Sequence, residues 1–484
     1  MGRARGGSGA GASAGRARAS PCRRMGRGDD ARGPACHPAG PSRLVAAMSV
    51  LAKLTPTTRL ALWGYGREGQ ATRAFLATAV PGLVPTLVAD TPPETAIDLP
   101  TLTGEAGRTA LARGRFEIVV KSPGISLYRP EVEAMRQAGT RLTSSTNLWF
   151  ERQPGRTVLA VTGTKGKSTT ASLIAHLWPG AILAGNVGKP LIAVPEGKAP
   201  LVLELSSYQC ADLAHAPTAM VLTNLYPEHL DWHLSRERYF ADKLRLVDLA
   251  PTAVLNAKDA RTVERFQGLA KARWFETDAG WHVQGGVLHH GAEPRWRMAD
   301  WPLPGVHNLT NLAAALTALE VMGQPSAAAL RSAERFTGLA HRLQVVAVSG
   351  GVTWVDDSIS TTPESAAAAL AAFAGRPVTL VLGGQDRGQD VTPLATAIRG
   401  RDVRILTLPD NGPAMAAALT RTVPDLAVVP CADLVAAITA AAALTPSGGV
   451  VLLSPAAPSY GHFRNFEERG ERFATLARRA PPPQ

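Results

Sequence analysis

The chain has 484 residues, 45% hydrophobic and 19% charged, a globular composition too long for one ordinary core and of the length of about three domains. No apolar run approaches the ~18 residues of a membrane span, and four cysteines without paired spacing (Cys22, Cys36, Cys210, Cys431) exclude a disulfide framework or a cysteine zinc site. The net charge of +12 would point to nucleic acid, but nine arginines against two aspartates in the first 47 residues carry +7 of it, so the rest is mildly basic and suits an anionic nucleotide substrate.

Residues 1–47 are Gly, Ala, Arg, Ser and Pro with almost no large apolar side chains. They cannot bury a core, and the expectation is a disordered tail or an over-long start, with Met48 opening the folded part. From Leu60 the run Leu-Ala-Leu-Trp-Gly-Tyr-Gly-Arg-Glu-Gly69 reads as a strand entering a helix over Ala71 to Ala77. Gly64, Gly66 and Gly69 form G-x-G-x-x-G, and Asp90 ends the next apolar run about twenty residues on. The same turn can hold any diphosphate, so the motif alone does not specify a dinucleotide. A further buried strand, Phe116 to Val120, ends in Lys121-Ser-Pro-Gly124, a turn at a strand's carboxyl end where ligands tend to sit. Residues 48–150 therefore read as a small doubly wound domain.

Val158 to Val161 predict a buried strand, followed by Thr162-Gly-Thr-Lys-Gly-Lys-Ser-Thr169 and a helix from Ala171 to Leu177. Gly163 and Gly166 allow a tight turn whose amides and helix N-terminus face an anion, Lys167 adds a positive charge, and Ser168 can ligate Mg²⁺. The commoner phosphate loop has a glycine where Val161 stands, so this is a shortened form. Glu204 interrupts the apolar run Leu201 to Leu205, the expected place for a Mg²⁺-binding carboxylate. His229 and His233 resemble half of a zinc protease motif, but the required glutamate is missing, so zinc is rejected. One of the two histidines fits near the phosphates and the other reads as structural. Lys243, in a helical segment, reads by default as a solvated lysine. Asn308 and Asn311 stand three apart before a helix expected over Leu312 to Met322, where they can cap it or contact a base.

From residue 336 strands and alanine-rich helices alternate, which predicts another parallel sheet, with Asp357, Gln385-Asp-Arg387 and Ser454 to Ser459 at strand ends.

Six motifs in this order resemble those of the Mur ligases, most closely the MurD type, which adds glutamate to UDP-N-acetylmuramoyl-L-alanine. They are Thr162–Thr169, Leu203-Glu-Leu-Ser-Ser207, Thr223-Asn-x-x-x-Glu-His229, His307-Asn-Leu-Thr-Asn311, His341-Arg342, and Leu453-Ser-Pro running to Phe463-Arg-Asn-Phe-Glu-Glu-Arg-Gly470. The resemblance implies an α/β protein of three domains. A Rossmann-like N-terminal domain (48–150) would bind the UDP-sugar, a central P-loop ATPase domain (151–335) would bind ATP, and a Rossmann-like C-terminal domain (336–484) would bind the amino acid.

It also assigns residues. ATP would meet Gly163, Thr164, Lys165, Gly166, Lys167, Ser168 and Thr169, with Asn308 and Asn311 near adenine and Arg342 and Asp357 reaching from the last domain. The UDP-substrate would meet Gly64, Gly66, Arg67, Glu68, Gly69, Asp90, Thr91, Ser122, Asn186 and His229. Glutamate would meet Thr361, Arg387, Ser459, Tyr460 and Phe466. Two Mg²⁺ ions are implied, one on Ser168 and Glu204 and one near His229 and Lys243, the latter carbamylated. Lys167, Glu204, His229 and Lys243 would carry the chemistry, an amide ligation through an acyl phosphate in the cytoplasm. A monomer is expected, with no nucleic acid or membrane partner. Departures from the usual MurD pattern, Ile359 for a lysine, Arg387 for a lysine and Ser454-Pro-Ala-Ala-Pro-Ser459 without its cysteine, resemble a subgroup that adds L-glutamate. The alternatives are ordinary D-glutamate addition and, from another class, an NAD-dependent oxidoreductase.

Overall fold

Leu60–Trp63 is wholly buried and forms the middle of a five-stranded sheet in a computed structural model that describes residues 49–93, 96–297, 301, 303, 305–386 and 388–480. The expectations for residues 1–47 and Met48, and for Arg387, lie outside the described residues. In spatial order the strands are Thr101–Thr103, Thr86–Ala89, Leu60–Trp63, Ile118–Lys121 and Arg141–Ser144, all parallel. The central strands are apolar on both faces, as a sheet covered by helices on both sides requires. Strand order reverses direction beside Leu60–Trp63, and the crevice at the carboxyl ends there holds the Gly64–Gly69 turn and Ser122.

The second sheet runs Ala272–Phe275, Ala253–Asn256, Ala219–Leu222, Val158–Thr162, Leu201–Glu204 and Ile182–Gly185, again all parallel. Val161 pairs with Glu204 on one side and Val221 on the other, which sets the phosphate loop, the carboxylate and the Thr223 loop side by side. Helices Lys167–Leu177 and Val306–Val321 share one core on this sheet, built from Leu173, Ile174, Leu309, Leu312 and Leu316. The second of these begins at Val306, not at Leu312: Asn308 and Asn311 lie inside its first turns, because Gly305 supplies the non-helical entry. The core on the opposite face is continuous with the first sheet, joining Leu60 and Leu76 to Val158 and Leu203. A small antiparallel sheet, Trp281–Gln284, Val287–His290 and Glu293–Arg297, was not anticipated; its last strand is mostly exposed, so it lacks the apolar run that marks a core strand.

The third sheet runs Gln344–Ser349, Val352–Asp356, Val450–Leu453, Val378–Leu382, Val403–Thr407 and Ala427–Pro430. The expectation of a wholly parallel sheet is corrected at one edge, where Gln344–Ser349 is antiparallel to Val352–Asp356. Gly350 and Gly351, with φ of 57° and 78°, provide the two left-handed positions that a two-residue hairpin turn needs. Among the described residues no helix is long and apolar enough to cross a membrane.

Candidate active site

The phosphate loop owes its shape to two glycines that nothing else could replace. At Gly163 (φ 143°) a Cβ would fall 2.0 Å from Thr223 Oγ1, and at Gly166 (φ 79°) one would fall 2.4 Å from Asn311 Oδ1. Gly166 is the N-cap of the helix Lys167–Leu177, so the free amides of that helix open toward the loop, with Ser168 and Thr169 half-buried in its first turn. Neighbouring segments brace the turn: Lys165 N donates to Asn224 Oδ1 (2.8 Å), Thr223 Oγ1 donates to Lys165 O (2.6 Å), and the hydroxyls of Thr164 and Tyr239 lie 2.8 Å apart. The Thr223-Asn224 pair was visible in the sequence as part of a motif. Tyr239 carried no signal there.

Charged groups of alternating sign gather around this loop. Lys167 donates from Nζ to Thr164 O (2.9 Å), and burial pushes its ammonium below the usual lysine range while Glu204 and Glu228 oppose that shift. Glu204 is fully buried. Its Oε1 accepts from Asn186 Nδ2 (3.0 Å), whereas Oε2 has no partner. A buried carboxylate oxygen left bare is destabilising unless something cationic completes it. Oxygen ligands beside a phosphate site are also the donor type Mg²⁺ prefers. The residues present therefore fit a Mg²⁺ ion held by Glu204 and Ser168.

Lys243 corrects the default reading of a solvated helix lysine. It is 2% exposed, donates from Nζ to Gly163 O at 2.7 Å, and is pushed down to about 7 by burial and then by the charge of Lys167. His229, the half-exposed N-cap of a short helix, takes a left-handed backbone (φ 55°) with its Nε2 3.7 Å from Glu228 Oε2. Burial lowers its pKa against the pull of Glu228, with Lys167 and Lys243 also acting on it, so all four groups share one electrostatic neighbourhood. Glu228 also pairs with Lys165 (2.7 Å), a role that residue types alone did not reveal. His233 is the structural histidine of the pair: it is buried between Asp242 (2.6 Å) and Ser207 (2.9 Å).

Asn311 and Asn308 are hydrogen-bonded to each other (3.2 Å), and Asn311 Oδ1 also accepts from Thr170 Oγ1 (3.3 Å). Asn311 thus packs against the phosphate loop itself and does not cap its helix. Arg342, two residues before the strand Gln344–Ser349, acts electrostatically on both Lys167 and Asp357. Asp357 accepts from Leu343 N (3.1 Å) and Ser454 Oγ (2.7 Å), and burial pushes its carboxyl up to about 6.

In the first sheet's crevice Ser122 Oγ donates to Gly64 O (3.1 Å), and Gly69 packs so closely that a Cβ would lie 2.4 Å from the same oxygen. Arg67 donates to Gly188 O (2.8 Å). Gly66 is exposed and caps the following helix. Two predicted contacts are already engaged. Asp90 is clamped by both guanidinium nitrogens of Arg129 (2.7 and 3.0 Å), and Glu68 accepts from Ser145 (2.5 Å) and Gln209 (3.4 Å). Thr91 is exposed. Among the amino-acid candidates, Ser459 is buried, Tyr460 is exposed, Thr361 O accepts from Gln389 (2.9 Å), and Phe466 O accepts from Ser358 Oγ (2.8 Å).

Two family models match the chain: the Mur ligase middle domain over residues 161–319, and the Mur ligase glutamate ligase domain over residues 341–457. UDP-N-acetylmuramoyl-L-alanine--L-glutamate ligase of Xanthomonas euvesicatoria is 42% identical over 444 residues, covering 86% of this chain and 94% of the relative. The protein of the same name from Micromonospora sp. is 41% identical over 443 residues, covering 87% and 96%. Among solved structures, UDP-N-acetylmuramate-alanine ligase MurC from Thermotoga maritima superposes with a TM-score of 0.52 at 18% identity, over 86% of this chain and 98% of that one. MurF from Acinetobacter baumannii does so with a TM-score of 0.52 at 16% identity, over 86% and 90%. At such identities these two likenesses concern the fold alone.

Proposed function

The chain belongs to the Mur ligase family, and from that membership we propose that it is an ATP-dependent ligase of peptidoglycan precursor synthesis that joins L-glutamate to UDP-N-acetylmuramoyl-L-alanine. The observation that carries the ligase reading is Glu204 Oε2, a buried oxygen without a partner beside Lys167 and its loop. The choice of L-glutamate is supported by relatives of that name and by Ile359 standing where the commoner pattern has a lysine. We propose a three-domain division at 48–150, 151–335 and 336–484, supported by one large sheet in each span, the middle span carrying the small antiparallel sheet as well.

In the reaction the substrate's carboxylate oxygen attacks the γ-phosphorus of ATP, and the bridging oxygen leaves with ADP, giving an acyl phosphate. The amine of glutamate then attacks the carbonyl carbon, a proton is lost, and phosphate leaves as the amide forms. Lys167 and the amides at the start of its helix stabilise the transferred phosphoryl group. Glu204 and Ser168 would hold a Mg²⁺ ion, which neutralises phosphate charge when bound. Lys243, pushed down to about 7, is in good part a free amine at neutral pH, the form that reacts with CO₂. Carbamylation would turn it into an anion suited to a second ion near His229. His229, whose pKa partial burial lowers against the pull of Glu228, is the base proposed to take the proton of the ammonium. Arg342 and Asp357 would meet the nucleotide from the last sheet, and the Gly64–Gly69 turn with Ser122 the UDP moiety. These substrates place the enzyme in the cytoplasm, and we propose that it acts as a monomer.

The test is phosphate release from ATP with UDP-N-acetylmuramoyl-L-alanine and either enantiomer of glutamate. Release with L-glutamate is expected. Release with D-glutamate alone would overturn the stereochemical choice, and release with neither would overturn the reaction.

A further inference from the structure

At the carboxyl ends of the third sheet lies a cleft with about 130 Å³ of free volume, lined among others by Gly384, Leu408, Val435, Ser459, Phe463 and Arg469. Arg469 is wholly buried. Its Nε donates to Ser358 Oγ (2.9 Å), and its Nη2 donates to Ser358 O (2.9 Å) and Ala457 O (3.1 Å). Its Nη1 has no partner, and a Cβ built on Gly384 would lie 3.2 Å from that nitrogen. Nε and Nη2 are held by groups outside the cleft lining. The nitrogen that faces Gly384 and the cleft is therefore the bare one. All three donated bonds go to neutral oxygens, and Asp356, the carboxylate that acts on this guanidinium, is itself engaged by His341 (2.7 Å). Burial without a direct counter-charge pushes Arg469 down to about 10.

Other groups at the cleft have the same bias. Arg472 lines it, with its guanidinium over the Phe463 ring (5.5 Å). The eleven-residue helix Leu434–Leu444 starts at its edge, so the amides of Leu434 and Val435 have no acceptor within that helix. The two carboxylates nearby are occupied: Asp433 accepts from Ala436 N (2.8 Å), and Asp410 pairs with His462 (3.1 Å). Leu408, Val435 and Phe463 make the remaining wall apolar.

We propose that this cleft binds a small oxyanion, a carboxylate or phosphate carried on a short apolar body, with Arg469 Nη1 and Arg472 as its cationic partners. Ser459 belongs both to this lining and to the side expected to meet the incoming amino acid. The oxyanion thus has two possible sources, the carboxylate of that amino acid or a separate small metabolite.

The test is calorimetric titration of the full chain with L-glutamate, glutarate and inorganic phosphate, each in saturating ADP and Mg²⁺ so that the phosphate loop is filled. Arg472→Ala and Val435→Glu change the rim of the cleft and leave its buried floor intact, so both variants are expected to fold. Saturable binding of at least one probe is expected, weakened on the order of tenfold, about 1.4 kcal/mol, in each variant. Binding of L-glutamate alone identifies the amino acid as the source, and binding of glutarate or phosphate as well identifies a separate metabolite. Absence of binding by all three, or binding unchanged in both variants, overturns the proposal. Ligation is assayed separately, so a chain that bound the anion without ligating would sink the proposed reaction and leave the cleft standing.

Discussion

Lys243 Nζ donates a 2.7 Å hydrogen bond to the carbonyl oxygen of Gly163, tying a helix of the central domain to the first glycine of the phosphate loop. The bond explains how a lysine can be buried at 2% exposure, while desolvation and the nearby charge of Lys167 explain why its own charge is so weakly held.

That weakness predicts a dependence on pH and CO₂. With a pKa near 7, Lys243 is an ammonium below that pH and cannot add CO₂, while above it the free amine can. Turnover is expected to fall as pH drops through about 7, and added bicarbonate should restore it most near that pH. The measurement is the rate in CO₂-stripped against bicarbonate buffer across this range. Identical rates in both buffers would remove carbamylation from the mechanism.

Glu204→Gln keeps an oxygen for Asn186 and removes the charge. Loss of charge stabilisation at the transferred phosphoryl group should lower kcat by on the order of 10²–10³. The melting temperature should hold or rise, because a buried, half-partnered carboxylate is gone. A variant with near-normal turnover would show that Glu204 is only structural.

Gly166→Ala tests the loop's geometry. A Cβ at φ 79° meets Asn311 Oδ1 at 2.4 Å, so a penalty of about 1–3 kcal/mol is expected, together with a raised KM for ATP. Combining it with Asn311→Ala removes the collision but not the backbone strain. The double variant should therefore recover part of the stability in a urea titration. No recovery would mean that Asn311 does not press on the loop.

Lys121 and Asp212 make a buried ion pair at 3.2 Å, with Lys121 Nζ also 5.7 Å from the Trp232 ring, between the first two sheets. Removing one partner leaves an uncompensated buried charge, so Lys121→Met or Asp212→Leu alone should destabilise by about 3–5 kcal/mol. The double replacement should be much milder. Denaturant unfolding of the three variants decides this, and additive losses would mean that the two residues are not coupled.

The strands that were legible in the sequence are those that form an apolar run long enough to be buried on both faces, as in Val158–Thr162 and Val378–Leu382; the short, partly exposed edges Thr101–Thr103 and Ala427–Pro430 carried no such run. The antiparallel edge Gln344–Ser349 was not legible either, since its half-exposed residues carry no such run, and its hairpin rests on two glycines that could equally have made a loop. In the site, the residues of the phosphate loop were recognisable from local spacing. The engagement of Asp90 by Arg129, 39 positions away, was invisible, because no local pattern links the two.

From residue types and spacing alone came the phosphate loop, the carboxylate at Glu204, the three α/β units and a resemblance that proved to be family membership. These are short-range properties, in which neighbours in the chain are neighbours in space. What only the folded chain decided was the state of the charges. Lys243 loses most of its hold on a proton, Glu204 keeps one oxygen bare, and Arg469 turns a lone nitrogen into a cleft. Each of these depends on burial and on partners brought from distant segments, and desolvation is set by the packing around a group and not by the residues beside it in the chain.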